Sequence, residues 1–262
     1  MGLLRGAEDG ARFGGRRRRM MRKREDAFGR MIYDYYMGDR SGSEIVERDD
    51  GYFDVSGGPG AYFREYRDWP PHERKAMEFA RSPVLDVGCG AGRHALHLQE
   101  RGLEVVGVDA SPLAVKVAKA RGLKRAHLLP ITSVGAGLGV FGTVLMLGNN
   151  FGLFGSRKRG RWLLRRFKKM TTDNARIIAE SVHVYRTANP EHRAYHKLNR
   201  ERGRMAGQIR LRVRYGRYAT PWFDYLFVSE SELRDIVRGT GWHVERVLDS
   251  GGASYIAVIE KD

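Results

Sequence analysis

Val84-Leu85-Asp86-Val87-Gly88-Cys89-Gly90-Ala91-Gly92-Arg93 is the stretch from which the fold is read. An apolar, β-branched run carries one carboxylate, three glycines follow at alternate positions, and His94-Ala95-Leu96-His97-Leu98 opens a helix. That order reads as strand, tight turn and helix N-terminus. Glycines there let the backbone take positive φ and approach a ligand, while the free N–H groups of the helix start face the same point. The spacing also restricts the ligand. A dinucleotide loop needs G-x-G-x-x-G/A, which would put a small residue where Arg93 stands. The pattern is instead D-x-G-x-G-x-G. A carboxylate at Asp86 repels a pyrophosphate and suits a cation, such as the ammonium of an amino-acid moiety.

Leu103-Glu104-Val105-Val106-Gly107-Val108-Asp109-Ala110-Ser111-Pro112 reads as a second strand ending in an acid. It lies about 20 residues downstream, where a carboxylate can accept both hydroxyls of a ribose. The loop and this acid together resemble the class I S-adenosylmethionine-dependent methyltransferases. The resemblance implies S-adenosylmethionine as cofactor, with Asp86 at its methionine end and Asp109 at its ribose. Gly88, Cys89, Gly90, Gly92 and Ala110 would line the same site. The implied fold is α/β: a Rossmann-like, mostly parallel sheet of about seven strands with helices on both faces and the last strand antiparallel. Residues 82–182 would form the core and 229–262 complete it, the first on motifs and the second on pattern alone. A Rossmann-like domain holding another nucleotide is the rival reading.

The chain has 262 residues, 42% of them hydrophobic, enough to bury one such core with additions. Its one cysteine, Cys89, excludes an intrachain disulfide and fits a reducing, cytoplasmic setting. Inside the glycine loop it reads as packing and not as a nucleophile. No His/Cys cluster has metal-ligand spacing, so no metal is expected. No apolar run approaches membrane-spanning length and no apolar segment follows the N-terminal arginines, so neither a membrane nor export is expected.

Lys and Arg number 47 against 31 Asp and Glu, a net charge of +16 that invites a polyanion partner. The excess gathers around Arg16-Arg17-Arg18-Arg19, from Arg157 to Lys169 and from Arg186 to Arg217. Arginine outnumbers lysine across the whole chain, however, and this pattern of codon or lineage bias outweighs a dedicated nucleic-acid face. Residues 1–25, rich in Gly and Arg with no apolar period, are expected to be a disordered basic tail.

Residues 26–81 read as a helical cap. Met31-Ile32 and Tyr35-Tyr36 have helical spacing, and Pro70-Pro71-His72-Glu73-Arg74 starts a second helix. In similar small-molecule methyltransferases this region is a lid whose tyrosines close over the cofactor. Tyr33 is accordingly the expected cofactor contact and Tyr66 the expected substrate contact, with most other rings reading as packing.

Arg125 to Leu129 reads as the third strand. Relatives place an acid or amide after it for the adenine amine, but here Pro130-Ile131-Thr132-Ser133 follows, so adenine would rest on backbone N–H groups and Ile131. The fourth strand, Thr143 to Leu147, runs into Gly148-Asn149-Asn150-Phe151. Ligands of open α/β sheets bind at the carboxyl ends of the strands, which points Leu147, Gly148 and Asn149 at the cofactor and Asn150 at the substrate. The tetrad resembles the Gly-Asn-Ser-Phe of glycine and sarcosine N-methyltransferases and does not resemble the Asn/Asp-Pro-Pro-Tyr/Phe of base and glutamine N-methyltransferases. The alternative is an Asn pair that only shapes a turn. After the fifth strand, Ala175 to Val182, His183 and Tyr185 are placed to serve as catalytic groups for a hydroxyl nucleophile.

Residues 183–228 read as an inserted substrate cap, which in relatives covers the site or pairs two subunits, so the chain would be a monomer or a homodimer through this cap. Gln208 to Tyr215 alternates strictly and presents Arg210, Arg212 and Arg214 on one face, where they could hold a substrate carboxylate or phosphate. Tyr218 to Val228 would be its hairpin partner. Ser229-Glu230-Ser231-Glu232 is a capping box for a helix through Val237, and Trp242 to Leu248 and Ser254 to Ile259 supply the last two strands. The expected function is in-line transfer of a methyl group from S-adenosylmethionine to nitrogen or oxygen of a small molecule. An RNA methyltransferase or RNA-binding protein using the tail and the arginine strand is one alternative, and a non-catalytic cofactor-binding regulator is another.

Overall fold

A computed structural model describes residues 23–262. The expected basic tail lies mostly outside the described residues, and its last part, Lys23–Glu25, forms a 3-10 turn. Helix α1 (Ala27–Tyr36) starts at Asp26, whose carboxylate accepts from the N–H groups of Gly29 at 3.0 Å and Leu113 at 3.1 Å. Strands β1 (Ile45–Arg48) and β2 (Phe53–Val55) follow as a hairpin, and Pro71 opens α2 (Pro71–Met77). The alternating core is β3 (Val84–Val87), α3 (Arg93–Glu100), β4 (Val105–Asp109), α4 (Pro112–Ala120), β5 (Ala126–Leu128), β6 (Phe141–Met146), α5 (Arg157–Lys168) and β7 (Thr171–Val182). Then come α6 (Pro190–Glu201), β8 (Gln208–Tyr215), β9 (Tyr218–Ala219), β10 (Phe223–Leu226), α7 (Glu230–Val237), β11 (Trp242–Asp249) and β12 (Ser254–Lys261).

Seven strands form one sheet in the order β11-β12-β7-β6-β3-β4-β5, parallel from β7 to β5, with β12 antiparallel to both its neighbours. Every residue of β3, β4 and β6 is buried, as a parallel sheet covered on both faces requires. Alternation splits their side chains into two cores. Val87, Val108, Val144, Ile177 and Ala179 pack against Leu163 and Phe167 of α5 and Leu233 of α7. Val84, Val105, Leu145, Leu147 and Ile178 pack on the other side, against Met77 of α2, Leu98 of α3 and Val115 of α4. The capping box at Ser229 and Glu232 is formed as its sequence predicts.

The caps differ from expectation. Residues 26–81 are not wholly helical, because β1 and β2 join β8 and β10 in a second, antiparallel sheet of order β10-β8-β1-β2, with β9 also on β8. The N-terminal segment and the insertion therefore share one sheet. Helix α6 was not foreseen in the polar stretch after His183. It is started by Asn189 and Pro190, and its buried Asn199 donates to the carbonyls of Ala206 and Gln208 at 3.0 and 2.8 Å.

This sheet is seated on the core at the turn after β6. A Cβ at Gly152 would lie 1.9 Å from the ring of Tyr225 on β10. Gly152→Ala is therefore expected to destabilise the chain by about 1–3 kcal/mol, the usual range for overpacking, in urea denaturation.

Candidate functional site

The glycine loop takes the left-handed backbone its sequence anticipates, with φ of 76° at Gly88, 54° at Gly90 and 81° at Gly92. At Gly88 a side chain is excluded twice, since a Cβ would also lie 2.6 Å from Nδ2 of Asn150. That nitrogen donates to the carbonyls of Val87 and Gly88 at 3.0 and 2.9 Å, so Asn150 braces the loop. Expected as a substrate contact, Asn150 has its amide nitrogen committed to the loop backbone instead. Cys89 is buried and packs towards Gly107 of β4, where burial pushes its thiol up.

Asp109 is tied to the same loop. One oxygen accepts from the N–H of Gly90 at 2.9 Å and the other from Ser111 at 2.8 Å, which fixes the acid at the end of β4 against the glycine turn. Asp86 is 2% exposed, and its Oδ2 is buried with no hydrogen-bond partner among the described residues. Burial, reinforced by the nearby Asp109, pushes its carboxyl up to about 7. A buried, donor-poor carboxylate beside a second acid fits a ligand that brings an ammonium group and ribose hydroxyls.

Arg93, the residue that breaks the dinucleotide pattern, donates to Oε2 of Glu73 on α2 at 2.9 Å and to the carbonyl of Ala61 at 3.2 Å, with its guanidinium over Trp69. His94 Nε2 lies 3.3 Å from the same Glu73 oxygen, and burial holds the imidazole down at about 4. The turn after β6 is held by a residue that sequence reading passed over. Glu180 on β7 accepts at Oε2 from the N–H groups of Gly148 at 2.7 Å and Asn149 at 3.2 Å, which leaves Oε1 outside this clasp. Burial, with Glu73 adding to it, pushes the Glu180 carboxyl up to about 7. By strand alternation Glu180 shares the face of Ile178, the side of α2 and α3. Its signal in the sequence was a lone carboxylate near the end of an apolar strand.

Asn149 takes the left-handed conformation, φ 63°, and receives the Tyr225 hydroxyl on its carbonyl at 2.7 Å. Leu147 is buried beneath the turn, Gly148 and Ala110 are exposed, and Ile131 is half-buried against the α5 side of the core. From the N-terminal cap, Phe28 and Ile32 overlie Gly90, 3.9 and 3.8 Å from the position a Cβ there would take. Phe28 meets the ring of Tyr62 edge-on at 5.1 Å, and the Tyr62 hydroxyl donates to Oε1 of Glu44 at 3.1 Å.

Several expected contacts are placed elsewhere. The Tyr33 ring lies beside Lys116 and Arg30 on the flank of α4, so Phe28 and Ile32 take the position over the loop that was expected of it. Tyr66 stacks on His97 of α3 at 4.1 Å and meets Trp69 edge-on, which makes it packing and not a substrate contact. Tyr185 is half exposed and donates to Glu232 at 2.8 Å. His183 falls by alternation on the face opposite Glu180, apart from the side that carries Asp86 and Glu73.

The arginine face is also committed. Arg212 donates through Nε and Nη2 to both oxygens of Glu47, each at 2.8 Å, Arg214 binds the same carboxylate, and Arg210 pairs with Asp224 at 3.4 Å. Hydrogen bonding to Arg212 leads the effects that hold Glu47 down at about 2. Glu47 stands directly across from Arg212 in the β1–β8 ladder, so these are cross-strand pairs on a partly exposed face. Arg210, Arg212 and Arg214 replaced singly by alanine are each expected to leave S-adenosylhomocysteine affinity within about twofold by calorimetry.

Among the described residues, His243, Glu245 and Glu260 bring ligand atoms within 4.8 Å of one another. Two of them have other partners, Asp262 for His243 at 2.9 Å and Arg176 for Glu260 at 2.6 Å. Among the described residues no helix is long and apolar enough to cross a membrane.

Strand order, glycine loop and second-strand acid are those expected of the class I S-adenosylmethionine-dependent methyltransferases, and the chain carries a methyltransferase domain. Residues 84–163 match the family model described as a methyltransferase domain. A solved S-adenosylmethionine-dependent methyltransferase from Bacteroides fragilis, in complex with S-adenosylhomocysteine, is 27% identical with a TM-score of 0.79. That match covers 92% of this chain and 97% of the other, too much to be the core alone. The CcbJ methyltransferase of Streptomyces caelestis shares the fold at 13% identity, with a TM-score of 0.61 over 90% of this chain and 98% of that one. The 2-heptyl-1-hydroxyquinolin-4(1H)-one methyltransferase of Mycobacteroides abscessus is 50% identical over 42 residues, a match spanning 16% of this chain and 18% of that protein.

Proposed function

We propose that this chain uses S-adenosylmethionine to methylate nitrogen or oxygen of a small molecule. The observation that carries this reading is the roof over the loop. Phe28 and Ile32 lie on Gly90, and Tyr225 reaches Asn149 from the inserted cap, so the strand ends are covered from both sides. A covered site suits a small acceptor and excludes water from methyl transfer. The small-molecule substrate in the name of the Mycobacteroides abscessus relative supports the same reading.

Asp86 would hold the cofactor's ammonium and Asp109 its ribose, with the loop N–H groups and Ile131 completing the site. The cofactor, when bound, supplies an electrophilic methyl on a sulfonium. The chain's own part is to align the nucleophile and keep the site dry. Incubation of the full chain with methyl-labelled S-adenosylmethionine and a deproteinised cell extract is expected to label small metabolites. Label in added RNA and none in the metabolite fraction would overturn this reading.

A further inference from the structure

We propose that the space ringed by Glu180, Glu44, Asn149, Tyr62 and Tyr225 is a subsite for a protonated amine, with Glu180 binding its ammonium group. This deepens the small-molecule methyltransferase reading and rests on it. Three hydrogen bonds tie these groups into two pieces. Tyr62 donates to Glu44 at 3.1 Å, Tyr225 donates to the Asn149 carbonyl at 2.7 Å, and the Asn149 N–H donates to Glu180 at 3.2 Å. Burial leads the rise of both tyrosine hydroxyls, and the two pieces meet in what adds to it: Tyr225 raises Tyr62 further, and Glu180 raises Tyr225.

Two buried acceptors in this group lack a donor. Glu44 is 4% exposed and its Oε2 has no partner among the described residues, and Oδ1 of Asn149 is likewise buried and unpartnered there. For a carboxylate both oxygens accept, whichever way the group is drawn, and a buried acceptor left without a donor is costly. The charges point the same way. Arg93 is the guanidinium that acts on this cluster from the loop side, and it is paired with Glu73. Asp86 answers the cofactor's ammonium in the reading above, so among the described residues Glu44 and Glu180 remain as acids with no cation paired to them. In a chain of net charge +16, an acidic interior selects against carboxylates and phosphates and for a cation.

An ammonium must lose a proton before its nitrogen can accept a methyl group. Glu180 is the base for that step: the N–H bond breaks, its electron pair stays on nitrogen as the lone pair, and the proton bonds to the carboxylate, which becomes neutral.

The test is calorimetry on the full chain saturated with S-adenosylhomocysteine, titrated with benzylammonium and n-butylammonium and, at matched concentrations, with benzoate and phenol. The ammonium probes are expected to bind in preference to the other two, and Glu180→Gln and Glu44→Gln are each expected to weaken them about tenfold or more. Tighter binding of benzoate or phenol, no binding of either ammonium, or undiminished binding in both variants would overturn the proposal. S-adenosylhomocysteine affinity in each variant reports whether the site is intact, and Glu44→Gln decides the matter should Glu180→Gln not fold. Failure of the wild-type chain to bind S-adenosylhomocysteine would instead overturn the methyltransferase reading.

Discussion

Asp86→Asn is expected to shift two quantities in opposite directions: the ligand-free protein gains stability relative to wild type as pH rises, while S-adenosylhomocysteine binds roughly 10- to 100-fold more weakly. The first effect follows from burial. The Asp86 carboxyl is raised to about 7 in the folded chain from an ordinary value of 3.8. Between those values the unfolded chain has released a proton that the folded chain still holds. Stability therefore falls as pH rises through this window, by a few kcal/mol in all, and the deficit persists above pH 7. Asparagine has no such proton, so the two stability curves should diverge between pH 4 and 7 in thermal unfolding. The second effect follows from the charge that asparagine cannot offer an ammonium. Parallel stability curves or an unchanged affinity would show that the carboxylate is already paired.

Arg93→Met is expected to lower stability by about 3–5 kcal/mol in urea denaturation, the range for removing one partner of a buried ion pair. Its guanidinium and the Glu73 carboxylate are 13% and 9% exposed, and loss of the arginine strands that acid beside His94 in the interior. Lysine should not rescue it, because one ammonium cannot span Glu73 and the Ala61 carbonyl as the guanidinium fork does. A loss below about 1 kcal/mol would mean that the pair is screened by water.

The cofactor side of the site was legible because it is local. Strand, glycine loop, helix start and second acid lie within residues 84–109, and each local requirement leaves its own residue type in the sequence. The roof was not legible, because it depends on pairings across the chain. Glu47 and Arg212 are 165 positions apart, so the alternation of β8 displayed its arginines without the acid that neutralises them. Tyr33 and Phe28 are separated by helical phase: Phe28 and Ile32 stand four apart and share a face, which was a readable signal. His183 has the chemistry of a base and stands just past a strand end, whereas strand parity assigns it to the face away from Glu180. Glu180 itself was readable by that parity, together with its position in an apolar run.

The second sheet has a consequence for how substrate range can be transplanted. Strand β1 comes before the glycine loop and β8 after β7, yet they pair from Ile45↔Arg214 to Arg48↔Leu211. The two parts that cover the strand ends are one building block that the chain writes in two instalments. A chimera that takes only residues 26–81 or only 183–228 from another methyltransferase must bring together half-ladders that were never matched, including the Glu47 clasp. Both instalments exchanged together, onto an unchanged core, form the smallest graft that keeps this ladder whole.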